Sequence, residues 1–195
     1  MTATSIPSWN AQGVIPPINP VEPGSVDRSP YVVRLLDVVL RYGTTAERRS
    51  ILAGFLRYRE ALHQAGLVSG FQWLDGSFLE HVEALEARAP RDIDVVTFYR
   101  LPDGRSQRDV LNTSPATFDH AAVKASFIVD AYVVDLGIQP ERLARWSAYW
   151  YSMWSHRRND QWKGFLQVDL APTHDSDAAR ALQAQAPPTV EGGQP

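Results

Sequence analysis

The chain has 195 residues, of which 44% are hydrophobic and 21% charged, and its formal net charge is -3. This composition is typical of a globular domain of ordinary size, and the small acidic balance excludes a chain-wide attraction to nucleic acid or to anionic membranes. The absence of cysteine excludes disulfides and thiolate zinc sites and favours a cytoplasmic location. No apolar run is long enough to predict a segment that spans a membrane, so we expect no membrane partner.

The N-terminal third predicts an arm followed by two helices. Residues 1–29 are rich in Pro, Gly and Ser, which predicts an extended arm. The pair Ser29-Pro30 then predicts a helix start, because serine caps helix N-termini and proline fits the first helical position. Helically spaced apolar residues follow as far as Gly43, and a second capped helix ends at Gly66.

The rest of the chain alternates between strand and helix patterns. The predicted elements, in chain order, are a strand "GFQWLDG" ending in a tight turn, a helix "SFLEHVEALEARA", a strand "DIDVVTFYR", a helix over 115–126, a strand "FIVDAYVVDL", an aromatic-rich helix over 139–154 and a strand "WKGFLQVDL". This order predicts an α/β fold of the α+β type, with a small mixed sheet flanked by helices. We predict a domain over residues 30–171, followed by a frayed or disordered tail over 172–195.

The turn at Gly76-Ser77 is the first candidate for a binding element. Glycine lets the backbone turn sharply at the end of its strand and leaves room for a ligand. Ser77 is predicted to start a helix, whose unpaired amides and positive dipole end suit a phosphate. The sequence therefore predicts a phosphate-binding turn here.

Asp92 and Asp94 form the second candidate. Side chains alternate along a strand, so residues two apart share a face. Two carboxylates on one face repel each other, and no basic residue lies between them in the sequence. A divalent cation relieves that repulsion, and magnesium prefers carboxylate oxygens together with water and phosphate. We expect this pair and the Gly76-Ser77 turn to lie at the same end of the sheet.

The order of these motifs resembles the signature of the DNA polymerase β-like nucleotidyltransferase superfamily. The segments that carry the resemblance are "LDGS" at 74–77, a helix and then "DIDV" at 92–95. Small bacterial members of the superfamily share the further segments "GSF", "PRDIDVV", "DAY-VDL" and "SHRR…WKG". The looser resemblance covers residues 6–170.

The resemblance implies an activity and its cofactors. Asp92 and Asp94 would hold two Mg²⁺ (or Mn²⁺) ions about 3.5–4 Å apart, and Gly76 and Ser77 would hold the β- and γ-phosphates of an NTP substrate. The reaction would move a nucleoside monophosphate to a hydroxyl of tRNA, of a protein or of a small molecule. Related stand-alone proteins also imply a toxin–antitoxin or phage-defence setting with a cognate protein partner.

The resemblance also implies a third carboxylate from a neighbouring strand. Asp130 and Asp135 lie five residues apart on one predicted strand, so they face opposite sides and only one can reach the metal ions. We favour Asp130, because its apolar neighbours make an unpaired buried carboxylate costly there. Asp135, next to Gly137, has the simpler interpretation of a solvated strand end.

Basic residues late in the chain are the candidates for further phosphate contacts. Arg157, Arg158 and Lys163 belong to "SHRRNDQWKG", and arginine suits bidentate contacts with phosphate. The aromatic residues of the preceding helix have the spacing of core residues. The histidines are not spaced as metal ligands are, and we assign them no role.

One alternative function stays open at this point. The chain would then be a catalytically degenerate nucleotidyltransferase fold that serves as a binding or regulatory partner. Its support is Asp75, which stands where the superfamily commonly has an apolar residue, and the rather long segment 78–91.

Overall fold

The fold is that of a computed structural model, which describes residues 5–185. The strands are β1 (Tyr31–Val32), β2 (Gly70–Asp75), β3 (Ile93–Tyr99), β4 (Val129–Asp135) and β5 (Leu166–Asp169). The helices are α1 (Leu35–Tyr42), α2 (Ala46–Gln64), α3 (Val82–Glu86), α4 (Gln107–Thr113), α5 (His120–Phe127), α6 (Pro140–Trp154) and α7 (Asp175–Ala184). The expected mixed α/β architecture is confirmed. Between residues 5 and 185, no helix has the length and apolar character needed to cross a membrane.

The five strands form one mixed sheet in the order β1-β5-β2-β3-β4. β2 runs antiparallel to β3 and β5, whereas β4 runs parallel to β3 and β1 runs parallel to β5. The register sets Asp75 opposite Asp94 and Asp94 opposite Asp130. Three acidic residues therefore form a row across three neighbouring strands at one end of the sheet.

The first helix begins later than predicted. Ser29 is not its N-cap, because the Ser29 hydroxyl accepts a hydrogen bond from the backbone N–H of Phe165 at 2.9 Å. The two residues of β1 then pair with β5, and α1 starts only at Leu35. A tertiary strand pairing thus replaces the local helix signal. The second helix is confirmed, with Thr45 accepting from the Arg48 backbone N–H at its N-terminus.

The prediction that a helix starts at Ser77 is wrong. Residues Ser77–Leu79 form a single 3-10 turn, and α3 begins only at Val82. The cause is Arg48, whose buried guanidinium donates to the carbonyls of Phe78 and Glu80, each at 2.6 Å. Since these carbonyls are turned toward Arg48, they do not continue a helix.

Helix α2 holds two parts of the domain through buried arginines. Arg48 and Arg59 are eleven residues apart, about three turns, so they share one helix face. Arg59 donates to the Gln72 side chain at 2.6 Å and pairs with Asp175 at 2.8 Å. Both arginine side chains are fully buried. One arginine therefore fixes the segment after β2, and the other fixes the start of α7.

The predicted arm and tail fall partly within the described range. The expected frayed tail begins with a 3-10 turn over Pro172–His174 and continues as α7, which buries Ala178 and Leu182. Residues 186–195 lie outside the described residues, as do residues 1–4 of the expected arm. From residue 5 on, the arm lies against the domain, where it buries Val14 and Ile15.

We expect Arg48→Met to destabilise the domain by about 3 kcal/mol, because it leaves Glu83 without its cation and two buried carbonyls without their donor. Urea unfolding measures the change. Arg49→Met is the matched control, since among residues 5–185 the Arg49 side chain makes one hydrogen bond, to the Gly43 carbonyl at 3.3 Å. Equal unfolding midpoints for the two variants would contradict the role given to Arg48.

Candidate functional site

A cleft of ≈ 1100 Å³ opens at the end of the sheet where β2 finishes and where β3 and β4 begin. Every residue that the sequence analysis placed in the site lines this cleft: Gly76, Ser77, Asp92, Asp94, Asp130, Arg157, Arg158 and Lys163. The expected meeting of the glycine turn with the aspartate pair is thus seen. Whether these residues bind nucleotide or metal stays a prediction.

Gly76 is required by its backbone and by its neighbour. Its φ is +86°, a conformation that residues with a side chain rarely adopt. A Cβ atom at this position would also lie 2.3 Å from Oδ2 of Asp94. The bare backbone of the turn therefore lets the Asp94 carboxylate approach closely.

Asp94 is the least compensated of the carboxylates. Within the described residues, it has no ion pair with a basic side chain. Burial, together with the charges of Asp75, Asp92 and Asp130, raises the pKa of Asp94 to about 7 in spite of Lys163. An additional cation in the cleft would relieve this excess of negative charge.

Lys124, which the sequence analysis missed, lies between two predicted metal ligands. It comes from the last turn of α5, and its Nζ is 2.9 Å from Asp92 Oδ2 and 2.8 Å from Asp130 Oδ2. Hydrogen bonds to Asp130 and then Asp92 raise the pKa of Lys124, so its ammonium stays charged. These two carboxylates therefore already share a cation. No local pattern marks Lys124, because its partners lie on strands.

A second, buried ion-pair network lies beside the turn. Lys163 Nζ is 2.9 Å from Asp75 Oδ1 and 3.1 Å from Glu80 Oε1. Burial lowers the pKa of Lys163, but Asp75 and Glu80 more than offset this effect. Burial also raises the pKa of Asp75 to about 6, in spite of Lys163. This network explains why a charged residue precedes Gly76.

The three basic residues predicted to bind phosphate therefore differ in whether an acidic side chain already holds them. Lys163 and Arg157 are held by acidic side chains, since Arg157 pairs with Glu80. In the part of the chain that the structure describes, Arg158 has no ion pair and no side-chain hydrogen bond, and it is exposed at the cleft. Arg158 is accordingly the one of the three that a phosphate can reach without breaking an ion pair.

The two candidates for the third carboxylate are at opposite ends of β4. Asp130 lies in the cleft, and its Oδ1 is 3.4 Å from Nε2 of His120. Asp135 is the last residue of the strand, where its carboxylate accepts from the Gly137 backbone N–H at 2.7 Å. The geometry places Asp130 and not Asp135 beside Asp92 and Asp94. It also gives His120, which had no predicted role, a place next to Asp130.

The aromatic helix α6 is only partly a core element. Trp150 and Trp154 are buried, as the spacing predicted, whereas Trp146, Tyr149 and Tyr151 are exposed. The prediction that the whole set belongs to the core is wrong for these three residues. Trp150 also lines the cleft.

The predicted metal ligands fit magnesium in donor type but not as a ready-made cage. Among residues 5–185, no group of three or more His, Asp or Glu side chains is arranged to hold a metal ion. The carboxylate oxygens of Asp92, Asp94 and Asp130 are nevertheless the donors that magnesium prefers. Lys124 occupies a cation position between two of them, so metal binding requires its ammonium to move.

Comparison with known proteins yields one match. The sequence model of a protein family, DUF6932, matches residues 7–169 of the chain, and this family is described as one of unknown function. No curated protein and no solved structure matches the chain.

We expect Asp94→Asn to raise the melting temperature at pH 8 in metal-free buffer, with a much smaller effect at pH 5. The folded pKa of Asp94 is about 7, above the unfolded value of about 4, so the wild-type protein loses stability as the pH rises across that interval. Asparagine removes this loss, and each 1 kcal/mol recovered corresponds to about 2–4 °C.

Asp135→Asn is the control for thermal unfolding, because Asp135 lies at the other end of β4 from the cleft. It should not reproduce the pH-dependent gain. A melting temperature of Asp94→Asn at or below that of the wild type at pH 8 would show that Asp94 is compensated in the folded state.

Proposed function

The chain belongs to the DUF6932 family, and we propose that it is a magnesium-dependent nucleotidyltransferase. It would move a nucleoside monophosphate from an NTP to a hydroxyl of an RNA, a protein or a small molecule. The observation that carries the proposal is the meeting of Asp92, Asp94 and Asp130 at one end of adjacent strands, beside a glycine turn.

Asp92, Asp94 and Asp130 are the residues that would hold the metal ion. When bound, magnesium neutralises phosphate charge and lowers the pKa of an attacking hydroxyl. The charges around the site support such a cation. Two of the three carboxylates already share the ammonium of Lys124, and Asp94 lacks a basic partner among the described residues.

The triphosphate would lie along the turn and the outer arginines. Gly76 and Ser77 line the cleft next to Asp94, whose carboxylate occupies the space that a Gly76 side chain would take. Arg91 and Arg158 also line the cleft and are exposed. The helix dipole predicted at Ser77 plays no part, since Ser77–Leu79 is a single turn.

The acceptor hydroxyl would approach from the side of Asp130. Oδ1 of Asp130 is buried and makes no hydrogen bond among the described residues, and Nε2 of His120 lies 3.4 Å from it. It is therefore available to accept a hydrogen bond from the acceptor hydroxyl and to take up its proton. The hydroxyl oxygen forms a bond to the α-phosphorus as the bond from that phosphorus to pyrophosphate breaks.

A second function has support from the same cleft. Lys124 already neutralises charge on Asp92 and Asp130, and Lys163 does so for Asp75. A site stabilised by its own lysines is what a catalytically degenerate fold, acting as a binding or regulatory partner, would retain. Either function fits a toxin–antitoxin or phage-defence pair.

The test uses each NTP, labelled in turn at the α-phosphate and at the γ-phosphate, with magnesium, tRNA and cell extract. Nucleotidyl transfer leaves label from the α-position, and none from the γ-position, in RNA, protein or a small product. We expect Asp92→Asn, Asp94→Asn and Asp130→Asn each to lower transfer by about 100-fold or more, since changes to outer-shell residues alone cost about 10–100-fold.

Asp135→Asn is the matched control and should keep full transfer. Label from the γ-position alone would indicate phosphate transfer and contradict the proposal. So would equal transfer by the Asp92, Asp94 and Asp130 variants and the wild type. If no NTP gives label while magnesium and NTP raise the melting temperature, the degenerate partner is favoured.

A further inference from the structure

A second, smaller pocket of ≈ 300 Å³ lies along β4, the edge strand of the sheet. Aromatic and aliphatic side chains form most of its walls, among them Phe118, Val133 and Trp146. Tyr132 and Trp150 line both this pocket and the carboxylate cleft. The two spaces are therefore neighbours with a common aromatic wall.

Two polar atoms at this wall make no hydrogen bond among the described residues, so a ligand could bind them. The Trp150 side chain is buried, and its indole Nε1 has no hydrogen-bond partner among the described residues. A buried donor without a partner is unusual in a folded protein. His120 lines the pocket, and its Nε2 lies at ion-pair distance, 3.4 Å, from Oδ1 of Asp130, which makes no hydrogen bond among the described residues. A ligand with a hydrogen-bond acceptor in the pocket and a hydroxyl at its mouth would meet both groups.

The aromatic side chains form a continuous series from Asp130 into the pocket. The ring centroids of His120 and Tyr132 are 5.1 Å apart, and those of Tyr132 and Trp150 are 4.7 Å apart. Such surfaces suit a planar heterocycle, because base–aromatic stacking contributes about 1–3 kcal/mol per base. The chemistry of the pocket is therefore that of a nucleobase site.

The order of strands indicates which of the two substrates, the NTP or the acceptor, would bind in the pocket. In phosphoryl transfer the attacking and leaving oxygens lie roughly in line with the reacting phosphorus. The turn proposed to hold the leaving pyrophosphate follows β2, and the pocket borders β4, on the other side of β3. The attacking hydroxyl thus comes from the side of the pocket.

We propose that this pocket binds the base of a nucleoside acceptor, whose ribose hydroxyl reaches Asp130. The proposal rests on the proposed function and narrows its acceptor to a nucleoside, either free or at the end of an RNA. The ribose oxygen bonds to the α-phosphorus, the hydroxyl proton passes to Oδ1 of Asp130, and pyrophosphate leaves with the electrons of the broken bond.

A tyrosine acceptor fits this arrangement less well. In tyrosine the hydroxyl and the main chain are at opposite ends of the ring. With the ring in the pocket and the hydroxyl at Asp130, the main chain would be buried among apolar side chains without hydrogen bonds, which is costly. In a nucleoside the base enters the pocket while the ribose and any RNA chain stay in the cleft.

Saturation-transfer NMR with adenosine, guanosine, cytidine and uridine, and with a short single-stranded RNA bearing a free 3′ hydroxyl, tests the pocket directly. We expect binding to the wild type and equally to Asp135→Ala, because Asp135 is the last residue of β4 and lines neither the pocket nor the cleft. Trp150→Phe should weaken binding about 3- to 10-fold through the lost N–H donor. Val133→Phe should abolish it by filling the pocket.

Trp162→Phe is the matched control, because Trp162 is exposed and lines neither space. It should bind like the wild type, and thermal unfolding checks that every variant is folded. Binding by nucleosides alone indicates a small acceptor, and binding by RNA alone indicates an RNA end.

The same titrations with magnesium and a non-hydrolysable NTP separate the two substrates. The proposal predicts that nucleoside or RNA binding persists, and displacement by the NTP analogue would show that the pocket holds the base of the NTP instead. No binding of any probe, or equal binding by Val133→Phe and the wild type, would overturn the proposal. Binding without transfer by any NTP would contradict the proposed function and leave the nucleoside site intact.

Discussion

The ammonium of Lys124, shared by Asp92 and Asp130, is the interaction on which the candidate site depends. The register of the sheet places acidic residues from three strands together, and only two lysines enter that cluster. Lys124 pairs with Asp92 and Asp130, Lys163 pairs with Asp75 and Glu80, and Asp94 has no ion pair within the described residues, which leaves a deficit of positive charge in the cluster. A bound divalent cation would reduce the deficit, and this is the physical basis of our proposal that the cleft binds a metal ion and a nucleotide.

The architecture maintains this unfavourable cluster with interactions outside it. Arg48 fixes the segment after β2 through the Phe78 and Glu80 carbonyls, which keeps the turn at Gly76 in its conformation beside Asp94. The core beneath the sheet supplies the stability that the repulsion removes. The proposed function is thus located where burial and neighbouring charges raise carboxylate pKa values, as is common for functional sites.

Sequence patterns predicted the parts of the fold that depend on short-range spacing. The alternation of β3 and the apolar runs of β2 and β4 identified these strands, and the Asp92 and Asp94 pair followed from the same period of two. The patterns failed where a distant residue decides the local structure. β1 pairs with β5 in place of the predicted helix start, Arg48 prevents the helix at Ser77, and Lys124 reaches the site from α5. No spacing rule reveals such contacts, because their partners are brought together only by the tertiary fold.

Binding of Mn²⁺ to the NTP-free protein, measured by calorimetry, tests the central claim that Asp92, Asp94 and Asp130 form a cation site in which Lys124 holds the place of a metal. Removing the competing ammonium in Lys124→Met should tighten Mn²⁺ binding by about tenfold or more, which corresponds to about 1.4 kcal/mol. Arg91→Met removes another positive charge that lines the cleft and controls for the general change in potential. Equal Mn²⁺ affinities for Lys124→Met and Arg91→Met, or no Mn²⁺ binding by any of the proteins, would contradict the account.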